Sequence, residues 1–161
     1  PYSFFNAVAY VPPQVRVAST SSKPDQDGTK DSVANIAATG VFAVNIVEYG
    51  MRDVMNASSA TLPKDTDDYV AAGVEMAAWE TIDCGRVAAA PATLDCKLVE
   101  VFSLPGEANK LVVGEVTGVH MRDDTLVDGR FDVRTFQPLA RLGYRYYARI
   151  DELFELARPD D

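Results

Sequence analysis

The chain has 161 residues, 47% of them hydrophobic, and 24 acidic against 15 basic residues give it a formal net charge of −9. This length suffices for one hydrophobic core, because a domain of about 150 residues buries about 70% of the surface that its unfolded chain exposes. The negative charge repels phosphate backbones and anionic lipids, so we expect no nucleic-acid partner and no membrane partner. A single soluble domain covering residues 1–161 is therefore predicted.

The cysteines Cys84 and Cys96 and the single histidine do not have the spacing of metal ligands, so no metal site is predicted. Nothing like a signal peptide precedes the cysteines, and we expect free thiols in a reducing cytoplasm. The chain starts at Pro1, directly in front of an apolar segment, which suggests that the natural N-terminus lies further upstream.

The first predicted elements are two strands, Ser3 to Tyr10 and Gln14 to Thr20, which flank Pro12–Pro13. A polar loop follows, and then a helix that begins with Asp31 or Ser32 as its N-cap and ends at Gly40. Val41 to Tyr49 is apolar on both faces and is predicted to be a buried strand. The Ala and Asp pattern of residues 51–73 predicts two short helices separated by Leu62–Pro63.

A long hairpin is predicted in the second half, with strands Thr93 to Leu104 and Lys110 to Met121. The alternation shifts at Leu98–Val99, which is typical of a β-bulge. In the returning strand, Gly114 and Gly118 share a face with His120, leaving a strip without side chains that a flat ligand or another backbone could approach. A lone strand histidine is more often part of the fold than of a site, and both interpretations stay open. The predicted class is thus mostly β with a few short helices.

Hydroxyl groups cluster where the second predicted strand ends, and Lys30 precedes the predicted helix. Hydroxyl donors, an ammonium group and the N–H groups of a helix N-terminus together suit a phosphate monoester. A solvated loop followed by a helix cap explains the same residues, and from these residues alone it ranks higher. The residues concerned are Ser19, Thr20, Ser21, Lys30, Asp31 and Ser32.

Other chemistries have less support. The chain lacks a Gly-x-Ser-x-Gly elbow and a Gly-x-Gly-x-x-Gly motif, which argues against a serine hydrolase and a Rossmann nucleotide site. The aromatic segment Gly143 to Tyr147 either stacks on a planar ligand or fills a core or a dimer interface, and the second is the default expectation.

Several ordered blocks of the sequence resemble the flavin reductase-like FMN-binding family. They extend from Ser3-Phe4-Phe5-Asn6-Ala7-Val8-Ala9-Tyr10-Val11-Pro12-Pro13 through Lys30-Asp31-Ser32, Phe42-Ala43-Val44-Asn45-Ile46-Val47, Met55-Asn56-Ala57-Ser58-Ser59-Ala60 and Gly114-Glu115-Val116-Thr117-Gly118-Val119-His120 to Pro138-Leu139-Ala140-Arg141-Leu142-Gly143 and Tyr146-Tyr147-Ala148-Arg149. Each block is weak, but their order over the whole chain is specific. Family members usually carry a further strand pair before the position of Pro1, so the resemblance implies an N-terminally truncated domain. Ser32 stands where threonine is common.

The resemblance implies a split β-barrel that forms a homodimer and holds FMN near the subunit interface. It assigns the flavin ring to the first strand, the phosphate to the serine loop and the following helix, and the nicotinamide side to His120, the one candidate catalytic residue. The implied cofactor-binding residues are Ser3, Phe5, Asn6, Ala7, Ser19, Thr20, Ser21, Lys30, Asp31, Ser32 and Tyr146.

The leading hypothesis is a cytoplasmic flavin reductase in which NADH or NADPH transfers a hydride to FMN. The alternative is a non-catalytic FMN-binding electron carrier, similar to a flavoredoxin, that a partner protein reduces. A third interpretation is a structural β domain with a vestigial site. A monooxygenase or another electron-transfer protein is the partner that the reductase hypothesis implies.

Overall fold

A five-stranded antiparallel sheet forms the centre of the structure. The structure is a computed structural model and describes residues 1–20, 29–63, 66–78 and 81–160. In chain order the strands are β1 (Phe5–Tyr10), β2 (Pro13–Ser19), β3 (Val41–Asn45), β4 (Met76–Ala77), β5 (Arg86–Val87), β6 (Ala92–Ser103), β7 (Lys110–Met121), β8 (Leu126–Val127), β9 (Arg130–Phe131), β10 (Leu139–Arg141) and β11 (Tyr147–Arg149). The helices are α1 (Asp31–Thr39), α2 (Arg52–Ala57) and α3 (Asp68–Ala72), with short 3₁₀ turns at Tyr49–Met51, Asp123–Thr125 and Val133–Thr135. The central sheet has the strand order β1-β2-β7-β6-β3.

The core lies between one face of this sheet and helix α1. Alternation along β2 turns Val15 and Val17 toward the core and leaves Arg16 exposed on the other face. Helix α1 packs Val33 into this core. The helix ends at Gly40, whose left-handed φ of 72° lets its N–H donate to the Ile36 carbonyl at 2.8 Å. The buried core cluster consists of Val15, Val17, Val33, Phe42, Cys96 and Val112.

The long β6–β7 hairpin carries two irregularities of register. The pairing runs Leu98↔Gly114 and then Glu100↔Val113, so Val99 is an extra residue in β6 and the predicted bulge is confirmed. A second shift lies between Asp95 and Cys96, where Thr117 is the extra residue of β7. Extra residues of this kind bend and twist a strand pair.

Most predicted elements are confirmed, including the two opening strands, α1, the two short helices and the long hairpin, and the class is mostly β. The predicted strand from Val41 to Tyr49 is wrong at its end, because β3 stops at Asn45 and Glu48 forms a bridge with Pro138 instead. The predicted N-cap of α1 is also wrong, because Lys30 occupies that position. Within the described ranges, the structure has no helix long and apolar enough to cross a membrane.

Candidate functional site

The first candidate feature is a depression on β1 and β2, which we call the β1–β2 depression. Its volume is about 360 Å³, and its lining residues are Ser3, Phe4, Phe5, Asn6, Arg16 and Ala18. Asn6 lies opposite Arg16 in the strand register, while Phe5 packs against the core from the same strand. Of the predicted residues, Ser3, Phe5 and Asn6 therefore border this depression, although the Phe5 side chain turns to the core face of β1 and Asn6 to the opposite face. Ala7 follows on β1.

The end of β2 presents a buried hydroxyl. Ser19 is only 3% exposed, and its Oγ has no hydrogen-bond partner among the residues that the structure describes. Burying a hydroxyl without a partner costs about 1–3 kcal/mol, so such atoms are uncommon in folded proteins. The neighbouring Thr20 is exposed, and Ser21 lies outside the described residues.

The N-terminus of α1 is bound to the segment that leads into β1. The Tyr2 hydroxyl is hydrogen bonded to Ser32 Oγ, and the Lys30 Nζ lies 5.3 Å from the centre of the Tyr2 ring. No side chain in the described part of the chain caps the first turn of α1, although Asp31 places one carboxylate there. The Ala18 N–H donates to the Phe4 carbonyl at 2.9 Å, which continues the strand pairing toward Ser3 and Ser19.

These contacts bring three segments together: the lead into β1, the end of β2 and the start of α1. We call Ser19, at the end of β2, and Lys30 and Ser32, at the start of α1, the anion cluster. It combines hydroxyl groups, an ammonium group and the partial positive charge of a helix N-terminus, which is the chemistry that binds phosphate. Asp31 opposes an anion at the same helix terminus and reduces this attraction.

His120 lies far from the anion cluster. Ser19 pairs with Lys110 at the start of β7, whereas His120 is ten residues later, about 33 Å along the strand at ~3.3 Å per residue, and pairs with Thr93. Burial and the charge of Arg86 lower the pKa of His120, against a smaller opposing effect of Asp123, so the imidazole is neutral at pH 7. A neutral imidazole near the protein surface can donate one hydrogen bond and accept another.

Tyr146 also lies away from the anion cluster, in the turn between β10 and β11. This hairpin follows the β3 side of the sheet, because the Leu139 N–H donates to the Val47 carbonyl at 2.9 Å, and β1 is the opposite edge. Tyr144 and Tyr146 are 89% and 68% exposed. The default expectation named a core or a dimer interface for this segment. The exposure of the two rings contradicts the core, and the dimer interface stays a prediction.

The glycine strip of β7 is filled by the chain's own side chains. A Cβ at Gly114 would lie 2.4 Å from Cζ of Phe42, and one at Gly118 would lie 3.4 Å from Asp95 and Thr81 atoms. Neither a flat ligand nor another backbone fits there. The glycines serve packing, which corrects the ligand-strip interpretation.

Sequence reasoning missed Tyr2 and Arg16. The alternation of β2 shows Arg16 as an outward polar residue, but only the pairing of β1 with β2 puts it beside Asn6. Tyr2 gave no signal, because its contact with Ser32 spans 30 residues of sequence.

The flavin reductase like domain model matches residues 1–140, so the chain belongs to the flavin reductase-like family. An uncharacterized protein of Deinococcus radiodurans is 34% identical over 98% of this chain and 70% of its own length. Nitrilotriacetate monooxygenase component B from Bacillus cereus superimposes with a TM-score of 0.89 at 29% identity, over 97% of this chain and 78% of that one. A Shewanella frigidimarina protein described as having a split barrel domain superimposes with a TM-score of 0.83 at 23% identity, over 98% of this chain and 76% of that one. This likeness confirms the predicted split-barrel fold.

Proposed function

We propose that this chain binds FMN at the anion cluster and the β1–β2 depression, and that it is an NAD(P)H-dependent flavin reductase. The single observation that carries the proposal is the buried Ser19 hydroxyl, which has no partner among the described residues. A phosphate oxygen would supply the missing acceptor. Membership of the flavin reductase-like family supports the same ligand.

The residues fit the two ends of FMN differently. Lys30, Ser19 and Ser32 would hold the phosphate, in a chain whose net charge of −9 otherwise repels anions. The β1–β2 depression, at about 360 Å³, is near the lower limit of about 300–1,000 Å³ for ligand pockets and would take the flavin ring. Thr20, Asp31 and Ala7 border these two surfaces and remain predicted contacts.

The reaction requires little acid–base chemistry from the protein. The residues that line the β1–β2 depression would orient the flavin ring and limit water, and FMN held there would supply the hydride acceptor for NADH or NADPH. The placements of His120 beside the nicotinamide and of Tyr146 over the site stay predictions. Since both lie far from the anion cluster along the sheet, they would reach the flavin from a second copy of the chain.

The test titrates FMN into the purified protein, following flavin fluorescence, and then adds NADH or NADPH and follows nicotinamide oxidation. Wild-type protein should bind FMN and oxidise one or both nucleotides. Ser19→Ala should bind FMN about tenfold more weakly, since it removes one charge-assisted hydrogen bond of ~1.5 kcal/mol. Ser59→Ala is the matched control, because the Ser59 hydroxyl is exposed and donates only locally, to the Asn56 carbonyl.

Two negative outcomes separate the alternatives. A protein that binds FMN but leaves both nucleotides unoxidised is not a reductase, and the electron-carrier hypothesis then applies if a reductase protein reduces the flavin. A protein that does not bind FMN contradicts both functions. The relation to component B of a monooxygenase makes a monooxygenase the first protein partner to test.

A further inference from the structure

We propose that a second depression, on the opposite side of the sheet from β1, binds a planar aromatic ligand that carries an anionic group. It lies between α2 and the β10–β11 hairpin and has a volume of about 280 Å³. We call it the arginine–tyrosine depression, and its principal lining residues are Tyr49, Arg52, Met55, Asn56, Tyr147 and Arg149. Nothing in the proposed flavin site uses these residues.

Two tyrosine rings hold three guanidinium groups in place. The guanidinium carbons of Arg52 and Arg149 lie 4.5 and 5.2 Å from the centre of the Tyr49 ring. The guanidinium carbon of Arg141 lies 4.8 Å from the centre of the Tyr147 ring, and its Nη1 donates to the Tyr147 hydroxyl at 2.8 Å. Contact of this kind orients an arginine without neutralising it.

The local charge favours an anion. Arg52 pairs with Asp53 at 3.2 Å and Arg149 with Asp151 at 2.9 Å, and these half-exposed to exposed ion pairs are weak. A guanidinium has five N–H donors, so one carboxylate contact leaves several for a ligand. Of the charged residues that line the depression, Arg52 and Arg149 against Asp53 leave a surplus of one positive charge, in a chain of net charge −9. A carboxylate or phosphate can bind arginines in a bidentate arrangement.

The size and lining favour a ring with one anionic substituent. A volume of about 280 Å³ is slightly below the usual range of about 300–1,000 Å³ for ligand pockets, so it would hold one ring with its anionic group, or that part of a nucleotide, and not a whole dinucleotide. Met55 and Leu139 offer apolar contact, the tyrosines offer aromatic edges, and the Asn56 amide offers one donor and one acceptor. These groups suit a planar ring better than an isolated inorganic anion.

The depression is linked to the His120 end of β7. Arg122, two residues after His120, donates to Glu48 Oε2 at 3.0 Å, and Glu48 precedes Tyr49. The ligand chemistry has two sources, an aromatic acid or the phosphate-bearing part of a nucleotide. The inference does not depend on FMN binding, because it concerns residues at the other edge of the sheet.

The experiment measures binding of benzoate, NADP⁺ and inorganic phosphate to the full, FMN-free chain by isothermal titration calorimetry. Benzoate or NADP⁺ should bind, and the affinity should fall about tenfold or more in Arg52→Gln and in Arg149→Gln, which remove charge-assisted contacts. Arg130→Gln, an exposed arginine of β9, is the matched control and should bind as wild type does. Added salt should weaken binding in wild type more than in the two variants.

The outcomes decide both the site and the source. Benzoate binding with the arginine dependence identifies an aromatic acid, and binding of NADP⁺ alone identifies a nucleotide. Equal affinities in all variants, absence of binding, or phosphate binding as tightly as both aromatic probes would overturn the proposal. FMN affinity, measured separately on the same variants, should stay at the wild-type value, which shows that they are folded and keeps this test apart from that of the flavin site.

Discussion

Gly114 shows how the absence of one side chain shapes the core. It lies in the interior of β7, where glycine weakens a strand, yet the buried Phe42 ring occupies the space that its Cβ would need. The carbonyl of Lys97 lies 3.2 Å from the same position. The packing of β3 against β7 therefore depends on this residue.

We predict that Gly114→Ala lowers the free energy of unfolding by about 1–3 kcal/mol, because a buried aromatic ring must move to admit the methyl group. Urea unfolding followed by circular dichroism measures it. Gly143→Ala is the control, since a Cβ there would meet nothing within 4 Å in the described part of the chain. Equal stability of the two variants would contradict the role of Gly114.

Cys96 predicts a pH dependence of stability. Burial, with the neighbouring Asp95 charge, raises the pKa of its thiol to about 12, well above the value of about 8.5 expected in the unfolded chain. A raised acid pKa means that the folded state keeps the proton longer, so this stabilisation is complete below about pH 8.5 and is lost as the pH rises toward 12.

The free energy of unfolding should therefore decline as the pH is raised from about 7.5 to about 9.5, one unit on each side of the unfolded thiol's pKa. Cys96→Ala should show a shallower decline, although the cavity makes it less stable at every pH. Urea titrations at each pH measure both slopes. Parallel curves for the two proteins would show that another group causes the decline.

At the scale of elements, α1 begins in an unusual way. Its N-cap is Lys30, which is not among the residues that favour this position, and no described side chain bonds to its first-turn N–H groups. Its other end is conventional, with Gly40 in the left-handed conformation. A helix N-terminus that receives no cap from the described side chains is a suitable place for an anion, which agrees with the proposed anion site.

We predict that Lys30→Ser raises the free energy of unfolding of the FMN-free protein by about 0.5–1 kcal/mol, because serine caps the helix. FMN affinity should fall at the same time, since one phosphate-facing charge is lost. Thermal unfolding and flavin titration measure the two effects. Lys97→Ser, which removes an exposed lysine of β6, should leave FMN affinity unchanged; weaker FMN binding in this control would point to overall charge as the cause.

At the scale of the whole molecule, the predicted site residues fall into two groups at opposite parts of the sheet. The anion cluster and β1 lie at one edge of the sheet. His120 lies at the far end of β7, and the Tyr146 hairpin lies on the side of β3, the opposite edge. Beside β1, the chain exposes Tyr10 and Val11 at 92% and 93%, together with Val8. Exposed apolar residues that adjoin one another often mark an interface.

We propose that the protein is a homodimer in which β1 and its following turn lie at the interface. Analytical ultracentrifugation should give a mass near twice the 17.5 kDa of one chain. Val11→Asp should shift the population toward monomer by burying a charge in the interface. The control Val70→Asp, at an exposed position of α3, should leave the proportion of monomer unchanged. A monomeric wild type would contradict the proposal.

The local pattern of the sequence determined the elements themselves. The alternation of residues 14–20 and 110–121, the helix stop at Gly40 and the bulge at Val99 each depend on neighbours along the chain, and each was predicted. The family resemblance supplied the barrel and the FMN hypothesis, which residue patterns alone did not favour over a solvated loop.

The tertiary structure alone decided what fills and what adjoins each position. Periodicity tells which face a residue occupies but not which distant side chain contacts it. The sequence therefore could not predict that Phe42 packs against the glycine strip, that Tyr2 is hydrogen bonded to Ser32 or that Arg16 lies beside Asn6. The same holds for the separation of His120 from Ser19, since strand order and register depend on packing among segments far apart in the chain. The composition determined that the chain is acidic, and the packing decided where its positive charges come together.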